Sequence, residues 1–395
     1  MQGVDANVGA PTPQPPLEVF RHWLLMILKR IRRVPVLYLL LLALALAGCA
    51  RRMAPPKPYL ALVADREGRT LAVLNLASFR VAKLIPLGDS PVRVMVRPKS
   101  QETYVMLAAG QVAVIRFPSL SMVTRFELGD RATGLAFSAD GETAYALDAP
   151  DRKIYRIDCA RARITSEFPL NSSPTALAVT PDGKTLLAHD SASGTLLFLN
   201  AENGKVMATV DVGKGRGPVA VLPGGHKAFV AAEDSREVTA VDLERRQALS
   251  RIELGSEPTL LRVKPDGGEI AVLSEPDSIV TILDSFHDDV EQSMAAGSKP
   301  VAAVFSRDSR LFYVANSGDG TVTKLDFNNR QVLSLTRIGI QPESLALTPD
   351  ERFLAVADSA SDTLSVIRTS TGELVTSVAV GNDPVDVAIP DWQGR

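Results

Sequence analysis

Cysteine, tryptophan and histidine are nearly absent, with two Cys, two Trp and four His in 395 residues. Two cysteines permit one disulfide at most, so no disulfide framework can hold this fold. No Cys-x-x-Cys-His segment occurs, which excludes covalent c-type haem attachment. No Gly-x-Ser-x-Gly segment occurs, which excludes the nucleophile elbow of α/β-hydrolases. Aromatic residues make up 5% against 46% hydrophobic residues overall, so a core must be built mainly from Val, Ala and Leu. Charge bias is also missing. With 43 Lys and Arg against 45 Asp and Glu, the net charge is −2, too balanced for a nucleic-acid-binding surface.

What is present begins with an apolar run of 15 residues, Val34 to Gly48, preceded by Arg21, Lys29, Arg30, Arg32 and Arg33. A basic stretch, an apolar stretch and small residues at its end make a secretory signal. A permanent membrane anchor is the weaker alternative, because spanning a bilayer takes about 20 apolar residues. The run ends Leu46-Ala47-Gly48-Cys49, which resembles the bacterial lipobox. The resemblance implies cleavage before Cys49 and diacylation of its thiol. Residues 1–48 are then a signal peptide, 49–57 a lipid-anchored linker and 58–395 the folded domain. Residues 1–20 are long and Pro-rich for a leader, so translation starts at Met1 or at Met26. Removing 1–48 leaves 38 basic and 43 acidic residues, a net charge of about −5. Cys159 then has no partner and reads as a small buried apolar residue. Residue 50 is Ala rather than Asp, which by resemblance to the usual sorting rule favours the outer over the inner membrane. The expected location is the periplasmic side of the envelope.

Beyond the linker the chain repeats. Runs beginning at Pro91, Ala132, Pro174, Pro218, Pro258, Pro300, Pro342 and Pro384 follow one another at intervals of 40 to 44 residues. A constant period of this size with short apolar runs means one four-stranded blade per repeat. In each unit an apolar strand A leads to a turn such as Thr180-Pro-Asp-Gly-Lys, with Pro at the second turn position and Gly where positive φ is needed. Strand B, a polar hairpin, strand C, a second turn and strand D follow. Residues 58–88 supply B, C and D without an A, and 384–391 supply an A alone. Together they complete one blade and remove the open edges at the seam. The expected fold is an all-β propeller of eight blades, with seven as the alternative.

Tyr313-Val-Ala-Asn and the turn Pro181-Asp-Gly-Lys resemble the YVTN family of β-propeller repeats, over about 85% of the chain. The resemblance implies the fold and leaves function open. A Trp-Asp pair per blade, as in WD40 repeats, is missing.

Chain direction orients the ring. D–A links and B–C hairpins share one face, here the top; A–B and C–D turns share the bottom. The folded domain begins with a strand B running from bottom to top, so the tether leaves from the bottom. Arg51, Arg52 and Lys57 would then lie near anionic headgroups, unless they are simply a solubilising linker. The top hairpins carry Asp65, Glu67, Asp148, Asp151, Asp190, Glu233, Asp234, Glu275, Asp277, Asp319, Asp358 and Asp362. Two readings stay open: carboxylates that cap tight turns, or a ring-shaped acidic surface for a basic partner or cation.

Strands A line the central channel and are mostly apolar, with the exceptions Arg93, Arg262, Glu343 and Asp386. Arg93 and Asp386 share a repeat position in neighbouring blades, which suggests an ion pair locking the seam. Arg262 and Glu343 are the remaining polar candidates in the channel. His189 ends a strand B, while His226 and His287 lie in bottom turns of different blades. They do not converge, so neither a metal site nor a His-based catalytic site is expected. The Gly-rich segment Gly213 to Pro218 joins strands D and A rather than opening a helix, so it reads as a longer top loop and not a phosphate cradle. No cofactor and no nucleic acid are implied. The expected function is a membrane-anchored, non-enzymatic envelope scaffold that binds a protein through its top face. The outer-membrane assembly machinery contains a similar propeller lipoprotein. The alternatives are a lactonase-like hydrolase, since lactonases share related propellers, or a propeller binding a small ligand or metal.

Overall fold

The computed structural model describes residues 59–129 and 132–391. The leader, Cys49 and the linker lie outside the described residues. Among the described residues thirty-two strands form eight separate four-stranded antiparallel sheets, and helix is limited to two short 3-10 turns, Glu233–Ser235 and Ser359–Ser361. The fold is an eight-bladed β-propeller.

Seven blades are continuous in sequence. Blade 2, for example, runs Pro91–Val96, Glu102–Leu107, Gln111–Arg116 and Ser121–Glu127 as strands A to D. Blade 1 is composite. Its strands B, C and D are Leu60–Asp65, Thr70–Asn75 and Arg80–Pro86, and its strand A is Pro384–Ala388 from the other end of the chain. Leu62 pairs with Ala388 and Asp65 with Pro384. Blades 3 to 8 follow in chain order, with strands A at Ala132–Phe137, Ala176–Val179, Val219–Val221, Leu260–Val263, Pro300–Phe305 and Pro342–Leu347.

Neighbouring blades stack face to face, so strands B and C are covered on both faces and read as continuous apolar runs. Their two-residue period divides each strand between two cores. Ala61 and Val63 pack with Ala355, Ala357 and Val366 of blade 8, while Leu62 and Ala64 pack with Val105, Leu107 and Ile115 of blade 2. Strand D lies outermost and alternates, as Ser121–Glu127 does between exposed and half-buried positions.

Two repeated devices set the geometry of the links. At the bottom, a hydroxyl on the residue directly after strand A closes the A–B turn. The Thr180 hydroxyl donates to Asp182 at 2.6 Å and accepts the Thr185 N–H. Ser138, Ser306 and Thr348 repeat the arrangement. In blades 2 and 6 ion pairs replace it: Arg97–Glu102 at 2.7 Å and Lys264–Glu269 at 3.0 Å. The bottom turns also bind blade to blade. The Tyr104 and Tyr145 hydroxyls donate to the Cys159 and Ala201 carbonyls of the next blade at 3.1 and 2.9 Å. Lys227 and Lys324 reach the Ser285 and Thr369 carbonyls in the same way.

At the top, the residue ending strand B lies against a glycine in the D–A link. A Cβ added at Gly339 would come within 2.7 Å of Asp358, and one added at Gly129 within 2.6 Å of Asp148. Asp358 accepts the Ser365 and Thr363 hydroxyls at 2.6 and 3.3 Å. Its other oxygen, Oδ1, has no hydrogen-bond partner among the described residues. Burial pushes its pKa up to about 6, against the opposition of those hydroxyls. Blade 7 has Asn316 at this position, bonded to Thr321 and Thr323.

Gly339→Ala is expected to lower stability by about 1–3 kcal/mol through overpacking. Gly134→Ala should be close to neutral, because an added Cβ there meets nothing within 4 Å. Urea melts of the two variants check this. Asp358 is raised above its ordinary value of 3.8, so its ionisation at neutral pH opposes folding. The stability difference between the wild type and Asp358→Asn should therefore shift in favour of the wild type, by about 2–3 kcal/mol, as pH falls through 6 towards 4. A pH-independent difference would contradict the assignment.

Candidate functional site

Strand A pairs only with strand B, so its other edge borders the channel. Backbone N–H and C=O groups on that edge have no strand partner and must be met by side chains or water. Two of the polar residues expected in the channel do this. Asp386 accepts the N–H of Val94 in blade 2 at 2.8 Å, its neighbour Val387 N–H at 3.0 Å and the Ser344 hydroxyl of blade 8 at 2.6 Å. Arg262 donates from Nε to the Ala303 carbonyl of blade 7 at 3.0 Å and from Nη1 to the Leu261 carbonyl at 3.2 Å.

The Arg93–Asp386 ion pair expected from the sequence is not formed. Both Asp386 oxygens are directed at backbone N–H groups and at Ser344, so the seam is closed by Asp386 through hydrogen bonds. Arg93 makes no hydrogen bond or ion pair among the described residues. Arg262 has its pKa lowered, first by the surrounding protein and then by the positive charge of Arg93.

Glu343 sits higher, at the top mouth. Burial raises its pKa, Arg66 opposes the shift, and Asp383 and Glu275 add to it. Arg66 is itself paired with Asp383 at 2.5 Å across the closure. On the other side of the mouth Glu233 is likewise raised, by burial and by Glu257, against the pull of Arg216. The partners Arg66, Asp383 and Glu257 were not legible as mouth residues, because they come from links and hairpins whose lengths vary.

The acidic top face divides into two groups. Asp65, Asp148, Asp190 and Asp358 are buried and act as caps. Asp65, for instance, accepts the Gly68 and Asn382 N–H groups and the Thr70 hydroxyl. Asp277, Asp319 and Asp362 also accept N–H groups of the adjoining links. Glu67, Asp151 and Asp234 remain exposed, and Glu233 and Glu275 are half-buried. The Gly213–Pro218 loop is glycine-rich for close packing: a Cβ at Gly217 would lie 2.1 Å from the Ala231 carbonyl oxygen.

His189 is fully buried, with Nδ1 3.3 Å from the Gly217 carbonyl, and burial lowers its pKa. Cys159 is buried, and burial pushes its thiol up to about 11. Among the described residues no group of three or more His, Cys, Asp or Glu is placed to hold a metal. At the bottom, between blades 1 and 2, lies a polar cleft of about 430 Å³ lined by Arg97, Lys99, Glu102, Arg116 and Asp391. Its Arg97 and Arg116 guanidiniums share the single Glu102 carboxylate, and Asp391 pairs with Arg307, so the cleft is lined by more positive than negative charge.

The family model for lactonases with a seven-bladed β-propeller matches residues 171–389, more than half of the chain, and the chain belongs to this family. The match starts before blade 4 and runs through strand A of blade 1, and this member closes with eight blades. Among solved structures, the chain is similar to dihydro-heme d1 dehydrogenase NirN in complex with DHE. The identity is 15% over 86% of this chain and 76% of that one, with a TM-score of 0.71. It is also similar to Kuenenia stuttgartiensis hydrazine synthase, at 17% identity over 71% and 96% of the two chains with a TM-score of 0.58. A functionally unknown protein from Desulfotomaculum acetoxidans is similar at 17% identity over 74% and 100%, with a TM-score of 0.59. At these identities the likeness is one of fold. No curated protein gave a significant match.

Asp386→Ala should leave the Val94 N–H unmet at the seam and cost about 1–3 kcal/mol, while Arg93→Ala should change stability by less than about 0.5 kcal/mol. Chemical denaturation of both variants and of the double variant checks this; coupling between the two sites would restore the ion pair.

Proposed function

We propose that this protein is a binding propeller of the bacterial cell envelope, anchored through lipid on Cys49 and presenting its top face to a basic segment of a protein partner. The observation that carries this reading is the set of carboxylates around the top mouth. Glu233, Glu257, Glu275, Glu343 and Asp383 gather there, and burial and mutual repulsion raise Glu343 and Glu233. Carboxylates held above their ordinary pKa gain by meeting a cation. The ring begins at the bottom of strand B of blade 1, so a tether from Cys49 would leave this mouth facing away from the membrane.

A lactonase-like hydrolase is the second reading. Membership of the lactonase propeller family favours it, as does Glu343, whose raised pKa suits an acid–base residue beside Arg66.

Crosslinking in intact cells, with recovery through a C-terminal tag and mass spectrometry, should return one recurrent envelope protein joined to top-face loops. Glu343→Gln with Glu233→Gln should reduce its yield. Recovery of no partner, together with lactone hydrolysis lost in Glu343→Gln, would replace the scaffold by the hydrolase. Cys49→Ser should move the protein out of the membrane fraction; unchanged fractionation would remove the lipid anchor from the proposal.

A further inference from the structure

Arg93 and Arg262 belong to strands A of blades 2 and 6, which are four blades apart in a ring of eight and so lie on opposite walls of the channel, with Arg262 two residues further from the top than Arg93. Both side chains are exposed although their strands are innermost. The faces of these strands are covered by neighbouring blades, so the water they meet is that of the channel. Arg262 is held in place against the wall by the Ala303 and Leu261 carbonyls, which occupy Nε and part of Nη1. Its Nη2 group has no partner among the described residues, and Arg93 has none at all. No carboxylate of the described chain pairs with either guanidinium. Asp386 is bonded to Val94, Val387 and Ser344, and Glu343 belongs to the mouth with Arg66. The charge of Arg93 nevertheless acts on Arg262 and adds to the desolvation by the channel wall, the larger cause that lowers its pKa. The same two blades are the ones that replace the hydroxyl closure of the A–B turn by a cation–glutamate pair. Their departure from the repeat is therefore shared and opposite.

Two cations held near each other in a confined space, without a carboxylate, repel. A ligand that carries the missing negative charge turns that repulsion into attraction. Guanidinium forks match the planar oxygens of carboxylate and the tetrahedral oxygens of phosphate, and bind either in a bidentate manner. We infer that the channel holds a small oxyanion, a carboxylate or a phosphate, between Arg93 and Arg262. Two opposed forks favour a dianion over a monoanion. The site is built from residues other than those of the acidic top mouth, so its ligand does not depend on a protein partner there.

The test uses the purified mature chain, titrated calorimetrically with inorganic phosphate and with succinate against sodium chloride at matched ionic strength. Saturable binding of phosphate, succinate or both, beyond the chloride control, is expected, and the better of the two shows which oxyanion chemistry the site prefers. Arg93→Gln should weaken the Kd by about ten-fold or more, the loss of one charge-assisted bidentate contact. This variant is decisive because Arg93 supports no other group of the fold. Arg262→Lys keeps a charge but loses the fork, and should weaken binding while keeping the cooperative thermal transition. Equal Kd values for the wild type and Arg93→Gln, or heat effects that chloride reproduces, would overturn the inference.

Discussion

The ring depends on one pairing, that of Leu60–Asp65 near the start of the domain with Pro384–Ala388 at its end. A sheet left open here would expose an unpaired strand edge. It would also leave two inter-blade cores incomplete. Blade 1 contributes Ala61, Val63, Ala72 and Leu74 to the core with blade 8, and Leu62, Ala64, Leu71 and Val73 to the core with blade 2. The buried members of both clusters are small and branched, and the Phe79 and Phe353 rings of blades 1 and 8 meet edge to face beside the first, so each contact needs both blades in place. The closure is therefore a condition for burial on both sides and not an addition to a finished ring. The Arg66–Asp383 pair and the bonds from Arg66 and Glu67 N–H to the Asp383 and Asn382 carbonyls dock the first hairpin onto the last link.

The same architecture creates the inner wall. Eight strands A present one edge each to the channel, and hydrogen-bonding groups on those edges lie beyond the reach of any strand. Asp386 and Arg262 answer this in opposite ways, one accepting from N–H groups and one donating to carbonyls. Charged residues on a mostly apolar wall are thus explained by backbone accounting in two cases. Arg93 is the residue that this accounting does not explain, and for that reason it carries information about ligands.

Much of the fold was legible in the sequence because each blade repeats the same physical solution. The period placed every strand A, and the missing A at one end matched the surplus A at the other. The turn Thr180-Pro-Asp-Gly could be read because its hydroxyl, carboxylate and glycine act within a few residues. The seam contact was misread for the opposite reason. Sharing a repeat position brings Arg93 and Asp386 to one level of the ring, but it does not say that Val94 N–H and Ser344 stand closer to the carboxylate. The acidic hairpins show the same limit. Asp65, Asp148, Asp190 and Asp358 are buried caps, yet in sequence they cannot be told from exposed Glu67 or Asp234. The top mouth was hidden further, since Glu343, Asp383, Glu275 and Arg66 come from three different blades.

These residues arrange charge along the channel axis in two layers. The mouth is acidic, with the pKa values of Glu343 and Glu233 raised by burial and neighbouring carboxylates, and the channel wall carries two guanidiniums without carboxylate partners among the described residues. A ligand with one sign of charge meets attraction at one layer and repulsion at the other. An anion approaching from the top meets Glu343 and Glu233 before the guanidiniums, a repulsive barrier on that side. A basic segment on the top face would neutralise the mouth and lower that barrier. Hydrolysis of a neutral lactone would place a different demand on the same groups, because the product is an acid. Its carboxylate would be repelled by the mouth where Glu343 acts and drawn towards the arginines. The two layers therefore distinguish a site that must release an anion upward from one that keeps it below, and the position of the guanidiniums favours keeping it.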